Sequence, residues 1–121
     1  MRLEGKVNMP DKKKRFVELP KVTEFIEAQT EDVQTEYREI VGKLETEGRL
    51  VMPFGEKVEG ENLFAIRVIQ AGNIRVFYVY GNGDRVYGIY GYVKKTQAIP
   101  SHELKHAKRI CQALKQGGYI K

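Results

Sequence analysis

The sequence has no tryptophan and only one cysteine in 121 residues. Cys111 cannot form a disulfide within the chain, and no group of Cys and His residues has the spacing of a zinc site. No apolar stretch approaches the roughly 18 residues that a membrane-spanning helix needs, and no apolar run follows the basic residues at the N-terminus. We therefore expect a cytoplasmic protein that binds no metal, needs no cofactor and has no membrane partner.

Acidic residues are scarce in the second half of the chain. Residues 1–60 hold 11 Lys and Arg against 13 Asp and Glu, whereas residues 61–121 hold 10 against 3. The formal net charge of +5 is therefore the sum of −2 and +7. Such an asymmetry is typical of a surface that faces a polyanion.

Hydrophobic periodicity predicts the order of the secondary structure elements. Apolar residues recur at helical spacing in three segments and alternate along the segments between turn residues. Thr30 is placed to cap a helix that Gly48 ends in a left-handed conformation. The predicted elements are a short strand at 15–19, helices at 21–29 and 31–47, a loop at 49–60, strands at 63–70, 74–80 and 85–95, and a last helix from Pro100. Residues 1–15 are either a loose tail or include a short edge strand at 3–9.

This order predicts an α+β fold, because two helices precede a run of strands joined by tight turns. Along the middle strand, alternation gives apolar residues to both faces of the sheet. We therefore expect one face to pack on the first two helices and the other to form a partly open concavity. A length of 121 residues allows one domain with a single core.

Three segments of the predicted sheet carry a distinctive order of residues. They are Leu63-Phe64-Ala65-Ile66-Arg67, Gly72-Asn73-Ile74-Arg75-Val76-Phe77-Tyr78, and Tyr90-Gly91-Tyr92-Val93-Lys94-Lys95-Thr96-Gln97 followed by Pro100. In order and spacing they resemble the phage-derived, HigB-like branch of the RelE/ParE toxin superfamily. The likeness covers about residues 20–116. It implies a RelE-like fold, with two N-terminal helices packed on a twisted antiparallel sheet and a C-terminal helix, and a single toxin domain over residues 1–121.

The resemblance also implies a function. Members of this superfamily are toxins of type II toxin–antitoxin systems, and each is neutralised by a cognate antitoxin, here expected to be a helix-turn-helix protein. Members with nuclease activity cleave messenger RNA, usually on the ribosome, by attack of a 2′-hydroxyl on the adjacent phosphate. That reaction needs a proton acceptor and stabilisation of the negative charge that develops on the phosphate. Arginine and lysine can provide this stabilisation without a metal ion.

Four cationic residues are the catalytic candidates that the resemblance implies. Arg67 and Arg75 occupy the strand-arginine and Gly-x-x-Arg positions, although each could instead brace the fold through an ion pair. Lys94 and Lys95 leave the last strand on opposite faces if pairing persists that far, so at most one of them would point into the concavity. Which of the two lysines faces the site remains open.

Four further residues are candidates for binding RNA. Lys57 resembles a basic loop position that family members use against RNA. Tyr90 and Tyr92 share one face with Lys94, and tyrosine rings can stack on unpaired bases. His102 lies close to the lysine pair and can transfer a proton near neutral pH.

The chain departs from the family pattern at the last strand. Tyr90 stands where many relatives have a histidine, and Tyr92 stands where they have phenylalanine. Three functions therefore remain open: an mRNA endoribonuclease, a ParE-like toxin that inhibits gyrase by binding it, and a catalytically inactive interaction module. We favour the endoribonuclease, because the basic half of the chain coincides with the predicted sheet and final helix.

Overall fold

The computed structural model describes residues 12–58, 60 and 62–121. Its elements in chain order are β1 (Arg15–Glu18), α1 (Pro20–Glu27), α2 (Glu31–Glu47), β2 (Gly55–Lys57), β3 (Phe64–Val68), β4 (Ile74–Tyr80), β5 (Arg85–Val93) and α3 (Ser101–Gln116). The strands form one sheet in the order β1-β5-β4-β3-β2. The predicted α+β class is confirmed, with two helices between β1 and β2 and one helix after β5.

Two features of the sheet differ from the prediction. β1 pairs with β5 in parallel, so the sheet is mixed rather than wholly antiparallel. Gly55–Lys57 forms the edge strand β2 within the segment that we predicted to be a loop. Proline and glycine in that segment favour a turn, but pairing with β3 overrides this local preference. The strand predicted at 3–9 lies outside the described residues.

The predicted helix signals of α2 are present in the structure. The Thr30 hydroxyl accepts a hydrogen bond from the Val33 N–H at 3.3 Å. Glu31 and Asp32 lie in the first turn, where acidic side chains interact favourably with the helix dipole. At the other end Gly48 has φ of 84°, a left-handed conformation that glycine adopts without strain.

Apolar residues cover both faces of the sheet. α1 and α2 pack on one face, and α3 packs on the other. The first core contains Val22, Ile26, Val33, Tyr37, Ile40, Leu44, Ile66, Val68, Ile74, Val76, Tyr78 and Val86. The second contains Leu63, Ala65, Phe77, Val79, Tyr87, Ile89, Tyr92, Ala107, Leu114 and Ile120. The concavity that we expected on the second face is therefore partly filled by α3, which lies mainly against β5.

Gly91 allows α1 to approach the sheet closely. It pairs with Val76 and so lies on the face that α1 and α2 cover. A Cβ atom at Gly91 would lie 2.5 Å from a ring carbon of Phe25, a residue of α1. Packing against the helix thus explains why glycine stands between two tyrosines in the last strand.

Candidate functional site

Two arginines and a tyrosine form a row across the face of the sheet that carries α3. Arg67 on β3 pairs with Arg75 on β4, and Arg75 pairs with Tyr92 on β5. Residues directly opposite each other in an antiparallel pair point to the same face. We call Arg67, Arg75 and Tyr92 the donor row, because each side chain can donate a hydrogen bond.

One carboxylate, that of Glu56 on β2, lies beside both guanidinium groups. Its Oε1 atom is 3.7 Å from Arg67 Nε and 3.7 Å from Arg75 Nε. These separations make ion pairs but are too long for hydrogen bonds. Sequence reasoning missed Glu56, because the segment was predicted to be a loop. Recognition of β2 as a strand would have placed its side chain on the face of Ala65, its partner on β3.

Backbone and side-chain acceptors hold the other ends of both arginines. Arg67 Nη1 donates to the Pro53 carbonyl at 3.0 Å. Arg75 Nη1 donates to the Ile74 carbonyl at 3.1 Å and to Asn73 Oδ1 at 3.3 Å. The Arg75 side chain is 5% exposed and that of Arg67 is 20% exposed. The two charges are therefore fixed in position before any ligand binds.

The buried position of Arg75 and its charged neighbours shift its pKa. Burial and the positive charge of Arg67 lower the pKa of Arg75, while the negative charge of Glu56 raises it. Two guanidinium groups that share one carboxylate carry a net charge of +1. A cationic pair in this setting is stabilised further by an additional anion.

The donor row contains all of the buried side-chain nitrogen and oxygen atoms that lack a hydrogen-bond partner in the described part of the chain. They are Arg67 Nε, Arg75 Nε and Tyr92 Oη. A buried donor without an acceptor costs roughly 1–3 kcal/mol, so such groups are rare in folded proteins and call for an explanation. All three groups are donors that lack an acceptor, and an anion with several oxygen atoms would provide an acceptor for each of them.

Lys94 and Lys95 share a cleft with Arg75 of the donor row. With Asn73, Arg75, Thr96 and Gln97 they line a cleft of about 400 Å³. Pairing ends at Val93, so the strand alternation that we expected to separate the two lysines does not apply, and both line the cleft. Lys94 Nζ donates to the Gln97 carbonyl at 2.7 Å, whereas the Lys95 side chain is exposed.

The structure does not bring Lys57 to this site. We predicted it to lie in a loop, but it is the last residue of β2 and pairs with Phe64. Successive residues of a strand point to opposite faces, so Lys57 points away from the face of Glu56. Its exposed side chain is therefore separated from the donor row by the sheet.

The two tyrosines expected to stack on bases pack against other side chains, and Tyr92 is buried whereas Tyr90 is half-buried. Tyr92 is 4% exposed and its ring stacks on Phe77 with centroids 5.6 Å apart. The Tyr90 ring contacts Phe77 at 6.4 Å and His106 at 4.4 Å. Tyr90 Oη also donates to Glu103 at 2.6 Å, and this bond, with burial, raises the pKa of Tyr90 to about 12. Burial of Tyr92 leaves little of its ring for base stacking, whereas base stacking on Tyr90 stays a prediction.

His102 lies in the first turn of α3, outside the donor row. Its side chain is exposed, and Nε2 lies 3.6 Å from a Glu103 carboxylate oxygen. Across the described ranges, no group of three or more His, Cys, Asp and Glu residues is arranged to hold a metal ion. Nor does any helix in those ranges combine the length and apolar character that a membrane crossing requires.

Comparison with known proteins gives one family match. Residues 24–112 match the sequence profile of a family described as phage-derived protein Gp49-like (DUF891). That family belongs to the RelE-type group of toxin–antitoxin toxins. The matched segment includes Glu56, the donor row and both lysines of the cleft. No curated protein matches the chain.

Proposed function

The chain belongs to the phage-derived Gp49-like family, and from that membership we propose that it is the toxin of a type II toxin–antitoxin system and an mRNA endoribonuclease. The association of the family with toxin–antitoxin toxins supports the first part. The donor row supports the second, because its unsatisfied buried donors suit the oxygen atoms of a phosphodiester. This row is the single observation that carries the nuclease proposal.

The arginines would stabilise the charge of the phosphate during cleavage. Guanidinium N–H groups match phosphate oxygens in geometry, and such charge-assisted bonds are about twice as strong as neutral ones. Arg67 and Arg75 are already held in place, so little reorganisation is needed when negative charge develops. Lys94 and Lys95 would contact the neighbouring phosphate in the cleft that Arg75 also lines.

Glu56 is the candidate acceptor for the proton of the 2′-hydroxyl. Its carboxylate lies beside both arginines, and its side chain is 31% exposed on an edge strand, where a bound ribose can reach it. Attack forms the bond from O2′ to phosphorus and breaks the bond from phosphorus to O5′; the proton of the 2′-hydroxyl passes to Glu56, and the leaving O5′ takes up a proton from water. The products are a 2′,3′-cyclic phosphate and a 5′-hydroxyl.

The charge distribution supports a ribosome as the place of cleavage and an antitoxin as the regulator. α3 presents Lys105, Arg109 and Lys115 to solvent, and residues 61–121 carry a net charge of +7. Such a surface binds RNA with little dependence on sequence. An acidic, amphipathic antitoxin segment would cover the donor row and cleft through charge complementarity and apolar burial.

Induction in cells followed by mapping of transcript 5′ ends tests the proposal. Arg75→Ala should abolish both the new ends and the growth arrest, whereas Arg85→Ala should retain both. Arg85 is the matched control, because it is an exposed arginine at the other end of the sheet, paired with Arg15. Arg75→Lys keeps the positive charge and controls for the possibility that Arg75→Ala loses activity only because it fails to fold.

Two results would contradict the nuclease proposal. Growth arrest that persists in the Arg75 variants without new 5′ ends would favour a toxin that inhibits gyrase by binding it. Normal growth and intact transcripts on induction of the unmodified protein would favour an inactive interaction module.

A further inference from the structure

We propose that Tyr92 is the third member of the anion site and donates a hydrogen bond from its hydroxyl to the phosphate that Arg67 and Arg75 hold. The identification of that phosphate as part of an RNA rests on the proposed function. The existence of an anion site rests on the geometry of the donor row alone.

The first observation is the state of the hydroxyl. Tyr92 Oη is buried and has no hydrogen-bond partner. Other tyrosines of the two cores have one: Tyr37 donates to Glu18 at 2.6 Å, Tyr80 to the Gly48 carbonyl at 3.0 Å, and Tyr90 to Glu103 at 2.6 Å. The fold thus supplies acceptors to these hydroxyl groups and leaves that of Tyr92 without one. Phenylalanine would fill the same space without the cost of an unsatisfied polar atom.

The second observation is the position of the ring. Tyr92 pairs directly with Arg75, and its ring packs on Phe77 with an interplanar angle of 23°. The residue is 4% exposed and its ring packs on Phe77, so the ring has little freedom to turn toward another partner. The hydroxyl is therefore preorganised beside the guanidinium group of Arg75.

The charges around the hydroxyl favour its role as a donor. Burial raises the pKa of Tyr92, the positive charge of Arg75 lowers it, and Glu103 and Glu56 raise it again. The net shift is upward, so the phenol keeps its proton at neutral pH. A protonated phenol beside a cationic pair offers a neutral donor to a bound anion, which complements the two charged donors of the row.

Access to the row is through the cleft that Arg75, its middle member, helps to line. The cleft lined by Arg75, Lys94 and Lys95 adjoins the last residues of β5. Arg75 is the member of the donor row that lines this cleft, so an anion that enters there meets Arg75 first. Phosphate binding should therefore perturb the Arg75 and Tyr92 signals together.

Tyr92→Phe and the matched control Tyr90→Phe test the proposal without any RNA. Thermal unfolding should show Tyr92→Phe at or above the temperature of the unmodified protein, because an unsatisfied hydroxyl is removed. Tyr90→Phe should unfold about 4 °C lower, because it breaks a satisfied hydrogen bond. In NMR titrations with inorganic phosphate, Tyr92→Phe should bind about fivefold more weakly and Tyr90→Phe should bind as the unmodified protein does.

Either of two results overturns the proposal. If Tyr92→Phe unfolds at a temperature as low as Tyr90→Phe, its hydroxyl has an internal partner and is not kept for a ligand. If phosphate binds Tyr92→Phe as tightly as it binds the unmodified protein, the hydroxyl does not contact the anion. If the protein cleaves no RNA but shows the expected differences in unfolding temperature and in phosphate affinity, the nuclease proposal is wrong and the anion site is still supported.

Discussion

Replacing Glu56 by glutamine removes the carboxylate that Arg67 and Arg75 share. Glutamine keeps the shape of the side chain, so the change is mainly one of charge. The two guanidinium groups would then lie opposite each other on paired strands with no carboxylate between them. Like charges in directly opposite positions destabilise a sheet.

The structure sets the size of the expected loss. Each Nε to Oε1 separation is 3.7 Å, and breaking a buried pair by removal of one partner costs about 3–5 kcal/mol. Because Glu56 is 31% exposed, solvent screening reduces this to about 2–3 kcal/mol. For a chain of 121 residues this loss lowers the unfolding temperature by about 8–12 °C.

Calorimetry at low ionic strength measures the effect, with Glu47→Gln as the control. Glu47 pairs with Lys43 at 4.0 Å on the exposed face of α2, so its loss should shift the unfolding temperature by less than about 2 °C. Inorganic phosphate should raise the unfolding temperature of Glu56→Gln more than that of the unmodified protein, because the two arginines then lack a compensating negative charge and bind the anion more tightly. A Glu56→Gln protein that unfolds within about 2 °C of the unmodified one would refute the idea that this carboxylate holds the cationic pair.

Two further substitutions test the fold around the site. Glu36 accepts hydrogen bonds from the backbone N–H groups of residues 69–71. Burial raises the pKa of Glu36, but these bonds together have the larger effect and lower it below its ordinary value. The stability that Glu36 contributes is therefore present above the ordinary pKa and is lost as pH falls through the lower pKa of the folded protein. Glu36→Gln should therefore cost about 1 kcal/mol at pH 7 in denaturant titrations and progressively less in acid, and a gap that stays constant with pH would contradict this. Gly91→Ala should lower the free energy of unfolding by about 1–3 kcal/mol, because the added Cβ atom clashes with Phe25. Gly42→Ala is the control and should raise the free energy of unfolding by about 0.5–1 kcal/mol, because nothing lies within 4 Å of its added Cβ atom. Equal effects of the two substitutions would argue against close packing of α1 on the sheet.

The regular elements of this protein could be predicted from local patterns. α2 and β4 have the predicted bounds, because the stripe and cap of the helix and the turns around the strand are local signals. β2 could not be predicted, because it is three residues long, begins with glycine and follows Pro53 closely. Such a segment forms a strand only by pairing with β3. The parallel pairing of β1 with β5 likewise joins segments 70 residues apart, as in Arg15 and Arg85.

The same distinction applies to the candidate site. Arg67 and Arg75 follow from the strand motifs, and their register places them side by side. Glu56 and the face on which Lys57 lies depend on the pairing of β2, which no local pattern shows. The unsatisfied hydroxyl of Tyr92 depends on the packing of its ring against Phe77, so it is visible only in three dimensions.

The most direct test of the proposed nuclease is the chemistry of the RNA ends that it leaves. A defined message would be incubated with ribosomes and with the purified protein or its Arg75→Lys variant, beside a message with 2′-deoxyribose at the cleaved nucleotide. Attack by the 2′-hydroxyl predicts 5′-hydroxyl and 2′,3′-cyclic phosphate ends, a strong loss of cleavage with Arg75→Lys, and no cleavage of the deoxy message. Products with 5′-phosphate and 3′-hydroxyl ends, or undiminished cleavage of the deoxy message, would contradict the proposal.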